Sequence, residues 1–220
     1  TIGMKVLLND PPRERHEGSG KFVPLKTIQE EADIISFHVP LEMSGLDPTF
    51  HMVNKEFLLN LRKKPLVINS CRGEVFNSED ILNTIKSGNV SGAIIDCWEN
   101  EPEINLELLK AVDLGTPHIA GYSKDGKANG TKMSVQAVSK FFNLGLDDWQ
   151  PLKVEPPENP VIEIDGNQRR EYSILAEAIL STYNIENDDE ALREKPGNFE
   201  KLRGDYPVRR EFNSFTIKAK

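Results

Sequence analysis

Arg72, Glu101 and His118 have the types and spacing to remove a hydride equivalent and a proton from a hydroxyl-bearing carbon. Oxidation of a 2-hydroxy acid needs a base for the hydroxyl proton, a cation for the carboxylate, and a group that holds the base in its working orientation. Histidine suits the first because it titrates near working pH. Arginine suits the second through its forked donors. A carboxylate beside the histidine suits the third, since it favours the imidazolium that forms. Each residue alone has a blander reading: a surface ion pair for Arg72, a turn residue before Pro102 for Glu101, a satisfied structural ring for His118. Their joint placement is more telling, because each follows a short apolar run, at 66–69, 92–96 and 112–114.

The runs that would position these residues alternate with helical patterns. Residues 4–8 read as a strand stopped by Pro11-Pro12, residues 11–20 as loop, 25–32 as a helix and 33–39 as a strand closed by Pro40. Asn54 caps a helix over 55–62, with Phe57, Leu58 and Leu61 on one face. A helix opens at Ser78, turns Ile81, Leu82 and Ile85 inward and ends near Gly88; another covers 106–111. Short aliphatic strands between helices predict an α/β fold, a Rossmann-like doubly wound parallel sheet covered on both faces. Ligands of such sheets bind beyond the carboxyl ends of the strands. A longer helix is expected over 131–146. Pro156, Pro157 and Pro160 then read as a stiff linker. Beyond it come a strand at 161–164, a helix at 171–183, helical pieces at 188–193 and 199–202, and a strand at 212–217. About sixty residues of this small α+β kind are marginal alone and suit completion by an oligomer partner.

Composition narrows the class. With 38% hydrophobic and 28% charged residues the chain reads as soluble and globular. A net charge of −8 argues against a nucleic-acid or anionic-membrane partner, either of which would want a basic face. No apolar run reaches transmembrane length. Cys71 and Cys97 lack a CxxC spacing and a nearby pair of histidines, so neither a disulfide scaffold nor a metal site is expected, and free thiols suit the cytoplasm.

The wording of three segments goes further. Asn69-Ser70-Cys71-Arg72-Gly73-Glu74-Val75, Asp96-Cys97-Trp98-Glu99-Asn100-Glu101-Pro102 and Thr116-Pro117-His118-Ile119-Ala120-Gly121 resemble, in order and separation, the arginine, glutamate and histidine motifs of the D-2-hydroxyacid dehydrogenases. The segments around Glu103-Ile104-Asn105, Gly121-Tyr122-Ser123, 125–131 and Trp149-Gln150-Pro151 resemble the branch of that family acting on a phosphorylated substrate. The resemblance implies oxidation of 4-phospho-D-erythronate to 2-oxo-3-hydroxy-4-phosphobutanoate with NAD as acceptor, in pyridoxal 5′-phosphate (vitamin B6) biosynthesis. Arg72 would grip the carboxylate, His118 take the proton, Glu101 pair with His118, and Tyr122 contact substrate. Another 2-hydroxy acid such as phosphoglycerate, or a non-catalytic NAD-sensing or dimerising module, stands as the alternative.

For the cofactor, a carboxylate at Asp10 can accept both ribose hydroxyls and would repel a 2′-phosphate, favouring NAD over NADP; the competing reading is a turn aspartate before Pro11. Asp96 can face the nicotinamide amide, Val39, Ser70 and Cys71 lie beside the dinucleotide by analogy, and Gly121 permits close backbone approach. The family pattern implies an NAD-binding domain over 1–123, a crossover helix region over 124–150 and a C-terminal dimerisation domain over 151–220 forming a homodimer. A Gly-x-Gly-x-x-Gly loop is expected some twenty residues before Asp10. Its absence, with Gly3 reading as a helix C-terminal glycine, predicts a sheet lacking its first strand and a fragment inactive by itself. His38 reads as packing, and His16 and His51 as surface residues. Arg209-Arg210 is either a phosphate contact to a partner subunit or a solvated strand edge.

Overall fold

In the computed structural model, which describes residues 3–151, 154–167 and 170–219, helices and strands alternate as the aliphatic runs require. In chain order they are α1 (Pro11–Glu17), α2 (Leu25–Glu31), β1 (Ile34–Phe37), α3 (Lys55–Leu59), β2 (Leu66–Asn69), α4 (Ser78–Lys86), β3 (Gly92–Ile95), α5 (Leu106–Ala111) and β4 (Leu114–Gly115). There follow α6 (Lys124–Phe142), β5 (Val161–Ile164), α7 (Glu171–Leu180), α8 (Glu186–Glu194), α9 (Phe199–Gly204) and β6 (Thr216–Ala219). Contacts divide the chain into two compact units, residues 1–118 with 186–204, and residues 119–185 with 205–220.

The first unit is built on a parallel sheet of order β1-β2-β3-β4, with Ile34 opposite Leu66, Leu66 opposite Gly92, and Ile94 opposite Leu114. Val67, Ala93 and Ile95 are buried with Leu58, Val75 and Ile81 in one core. Cover on both faces is nearly complete only at β3; β1 buries Ile35 and Phe37 and exposes Ile34 and Ser36. Asn54 caps α3 by accepting from Phe57 N, and Asn77, one residue before the expected start, caps α4 by accepting from Asp80 N. α8 joins this unit through Leu192 and through Arg193, which donates to the carbonyls of Leu109 and Val112 at the end of α5. Those carbonyls have no partner within a helix of this length. Asp189 accepts from Gly115 N at 2.6 Å and from Arg193 Nε at 2.8 Å, so α8 also steadies β4, the strand that leads to His118.

Two expectations fail in the first twenty residues. Residues 4–8 form no strand: Met4 is 55% and Val6 70% exposed, and the segment is tied by one bridge, Leu8 to Phe22. An aliphatic run becomes a strand only where a neighbour takes its backbone groups, and among the described residues only Leu8 O, accepting from Val23 N, is so engaged. Residues 11–17 are helix rather than loop. Asp10 accepts from Arg13 N and Pro11 stands at the first helical position, where a missing N–H costs nothing.

The second unit carries α6, α7 and the parallel pair β5–β6. α6 begins seven residues before the expected start because Ser123 caps it, accepting from Gly126 N at 2.9 Å. Arg210 is neither a solvated edge nor open to a phosphate. Its guanidinium, buried with Asp125, donates to both Asp125 oxygens at 2.8 and 2.9 Å and also to Glu155 O. Arg209 donates to Ala120 O and stands over the rings of Tyr183 and Tyr206. Arg210 holds the Asp125 carboxyl down at about 2. An unfolded Asp titrates near about 3.9, so this pair's stabilisation is full above that value and disappears as pH falls toward the folded midpoint. Arg210→Ala is expected to raise the Asp125 midpoint in carboxyl NMR titrations. It is also expected to lower the unit's urea midpoint at neutral pH, with less further loss on acidification than the native chain shows.

Candidate active site

Asn69 ends β2 as a fully buried amide after three aliphatic residues, and its bonds organise the loops beyond the sheet. Its Nδ2 donates to Arg72 O at 3.0 Å and Cys97 O at 3.1 Å, while its Oδ1 accepts from Cys71 N at 3.2 Å. Its backbone oxygen accepts from Asp96 N. One side chain therefore ties the turn carrying Arg72 to the end of β3. Arg72 itself is exposed, with Nη1 donating to Cys71 O at 2.7 Å. Gly73 is required because a Cβ there would overlap the Trp98 carbonyl.

Beyond β3 the chain turns through Trp98 to Pro102, with a cis bond between Glu101 and Pro102 and Asn100 at φ 62°. Trp98 is buried and its indole donates to Thr116 O at 2.8 Å. Glu101 folds back so that Oε1 accepts from Trp98 N at 2.7 Å and Oε2 meets His118 Nδ1 at 2.8 Å. His118 is held from its own side by its backbone N–H, which donates to Asp96 O at 2.8 Å, and it lies at φ 55°. A non-glycine residue in that region stores on the order of 1–3 kcal/mol and persists only where its surroundings over-determine it. The pair is partly open, its side chains 20% and 23% exposed. Glu101 engages Nδ1, which leaves Nε2 as the ring atom able to accept a proton.

Asp96 is buried, with Oδ1 accepting from Thr116 Oγ1 at 2.6 Å. Burial pushes the neighbouring Cys97 thiol far up, the charges of Asp96 and Glu101 push it further, and Arg72 opposes them. Asp10 caps α1, Val39 and Ser70 are half-buried beyond β1 and β2, and Cys71 is buried; all belong to the first unit. Gly121 and Tyr122 belong to the second unit. Gly121 has open space where a Cβ would stand, and Tyr122 packs edge-on to Tyr206 with Lys127 Nζ over its ring at 4.2 Å.

His51 is not the surface residue expected. Its ring Nε2 lies 2.5 Å from Glu99 Oε1, Phe50 stacks on it, and Asn77 Nδ2 faces its Nδ1. Since Asn77 Oδ1 already accepts from Asp80 N, its amide nitrogen points at His51, which makes Nε2–H the donor to Glu99. Glu99 Oε2 accepts from Ser78 N, and His51 N donates to Glu74 O. A second histidine–carboxylate pair therefore pins the turn bearing Glu101 to the loop after Arg72. The only sequence signal was a glutamate two residues before Glu101. The partner His51 lies 48 residues away, beyond any local pattern.

Residues 1–120 match the D-isomer specific 2-hydroxyacid dehydrogenase family, NAD binding domain, and residues 154–220 match a domain of unknown function. The chain belongs to the D-isomer specific 2-hydroxyacid dehydrogenases. Similar curated proteins are erythronate-4-phosphate dehydrogenases: one from Bacteroides fragilis is 46% identical over 98% of this chain, and one from Escherichia coli is 38% identical over the same share. The chain spans 59% and 57% of their lengths. Among solved structures, D-lactate dehydrogenase from Aquifex aeolicus, complexed with NAD and lactic acid, superposes with a TM-score of 0.52 at 28% identity, over 67% of this chain and 49% of that one.

Burial pushes the Glu99 carboxyl up, but the bonds from His51 and Ser78 outweigh it and hold it below the usual carboxylate range. Their stabilisation is therefore complete above the unfolded value of about 4.3 and is lost as pH falls through the lower folded midpoint. His51→Ala is expected to raise the Glu99 midpoint in carboxyl NMR titrations. It is also expected to remove about 1–3 kcal/mol of stability in urea melts at neutral pH, the usual penalty for a buried partner left unpaired.

Proposed function

We propose that the protein to which these residues belong oxidises 4-phospho-D-erythronate to 2-oxo-3-hydroxy-4-phosphobutanoate with NAD, a step of vitamin B6 biosynthesis. The observation that carries the reading is the Glu101–His118 pair at 2.8 Å, in a chain where Asn69 ties the Arg72 turn to the end of β3 and whose curated relatives bear the erythronate-4-phosphate dehydrogenase name. In this reading His118 Nε2 takes the proton of the 2-hydroxyl. Glu101 holds Nδ1–H and lowers the energy of the imidazolium as it forms. The exposed Arg72 guanidinium binds the substrate carboxylate and draws electron density from C2. NAD, when bound, supplies the acceptor for the hydride leaving C2. The donor set suits it: the carboxylate of Asp10 fits a ribose diol, and that of Asp96 fits a carboxamide donor.

The 220 residues alone supply only part of this surface, and turnover is expected of a polypeptide of the relatives' length. Its working state is proposed to be a cytoplasmic homodimer joined through the C-terminal region. Tyr172, Leu175, Ile179 and Leu180 of α7 are exposed there, an apolar set that suits a subunit interface. No helix among the described residues is long and apolar enough to cross a membrane.

The test uses such a full-length polypeptide, assayed by NADH formation with 4-phosphoerythronate and, separately, 3-phosphoglycerate. Turnover is expected only with the first. His118→Ala is expected to lower kcat by about 10²–10⁴-fold, the usual span for a lost acid–base group, while NAD affinity stays near native. Preference for 3-phosphoglycerate, or native turnover in His118→Ala, would contradict the reading. Sedimentation of the same preparation as a monomer would remove the dimer from it.

A further inference from the structure

Cys97 has no part in the proposed reaction, yet it forms the wall beside the proton-transferring pair. It follows Asp96 at the end of β3, is 1% exposed, and its sulfur lies 3.8 Å from Asp96 Oδ2. One ligand atom from each of Cys97, Glu101 and His118 lies within 4.8 Å of the other two. Glu101 and His118 are partly open, so an ion can reach the group from their side. The three residues come from two segments held together by independent bonds. Trp98 Nε1 donates to Thr116 O, and His118 N donates to Asp96 O. Their grouping is therefore a fixed feature of the fold.

We propose that Cys97, Glu101 and His118 form an inhibitory binding site for a zinc-class divalent transition-metal ion. Thiolate, imidazole and carboxylate together are the donor set of zinc and its chemical neighbours; magnesium and calcium prefer all-oxygen sites. Three protein ligands leave the fourth tetrahedral position to water, as in open zinc sites. Bonds of about 2.3 Å to sulfur and about 2.0 Å to nitrogen or oxygen put tetrahedral ligand atoms roughly 3.3–3.5 Å apart. The 2.8 Å contact between Glu101 and His118 must then open slightly, and the sulfur must close by little more than an ångström at most, about the reach of a side-chain rotation. The carboxylates of Asp96 and Glu101 surround the sulfur with negative charge, which a divalent ion offsets.

The protons balance as follows. The Cys97 thiol releases its proton to solvent, whereas the single proton of the neutral His118 ring is exchanged through solvent from Nδ1 to Nε2 as the ion takes the place of Nδ1–H on Glu101. A neutral ring bound to metal through Nδ1 carries its one proton on Nε2. That atom can no longer act as a base, so occupation of the site switches off the group on which the proposed reaction depends.

Metal binding is read on the 220-residue chain itself, without turnover, so failure here and failure of the dehydrogenase reading are distinguishable. Reduced chain is titrated anaerobically with Co²⁺ and followed by absorption. One equivalent is expected to produce a thiolate-to-cobalt charge-transfer band with strong tetrahedral d–d bands, and Zn²⁺ is expected to displace both. Cys97→Ser is expected to abolish the charge-transfer band, and Cys71→Ser to retain it. Glu101→Gln, which keeps the thiol and covers the case in which Cys97→Ser does not fold, is expected to bind Co²⁺ at least 10-fold more weakly. Absence of the band in the native chain, its persistence in Cys97→Ser, its loss in Cys71→Ser, or native affinity in Glu101→Gln would each overturn the proposal.

Discussion

Glu101 spends both carboxylate oxygens locally, one on Trp98 N and one on His118 Nδ1, and the arrangement beyond the sheet depends on that choice. The first bond closes the turn Trp98–Pro102 on itself. The second fixes the imidazole so that Nε2 is the atom left for chemistry. The second bond is possible only when the turn and the Thr116–His118 segment are brought together. Trp98 does this through its indole bond to Thr116 O, and the β3–β4 pairing sets the register. Positive φ at both Asn100 and His118 shows that the backbone is bent out of its preferred regions to make the pair meet.

That strain is held by a ring of contacts around the pair. Asn69 joins the arginine turn to Cys97, Gly73 allows the Trp98 carbonyl to pack against the arginine loop, and His51 with Ser78 anchors Glu99. Three segments far apart in sequence therefore lock one glutamate. The design places the reacting groups on loops and their supports on the ends of β2, β3 and α4. This is the division that gives a site both rigidity and access.

Much of this was legible in the residues. β2, β3 and α5 stand where short aliphatic runs and cap residues put them, because their apolar side chains enter one core; β5 also stands at its aliphatic run, with Ile164 as its buried residue. The arginine, glutamate and histidine were legible only as a candidate set: each alone has an ordinary structural use, and it was the wording, order and separation of three segments that singled them out together. Residues 4–8 misled because an apolar run carries no information about whether a neighbour exists to pair with it. At Asp10-Pro11-Pro12 the double proline was read as a stop, although an aspartate before proline is also a helix start. Gly126 and Gly130 hid the first turns of α6, whose stability comes from the Ser123 cap and the Asp125–Arg210 pair. Asn69, His51 and Arg193 act through partners dozens of residues away, and their roles became visible only with the fold.

The central claim is that Glu101 holds His118 with its proton on Nδ1 and leaves Nε2 unprotonated in the neutral ring. Nitrogen-15 NMR of the imidazole-labelled chain at alkaline pH reads this directly, because the two ring nitrogens shift in opposite directions with tautomer. The account predicts that His118 shows a protonated Nδ1 and an unprotonated Nε2. A His118 ring found with its proton on Nε2, or averaging equally between the two nitrogens, would contradict it.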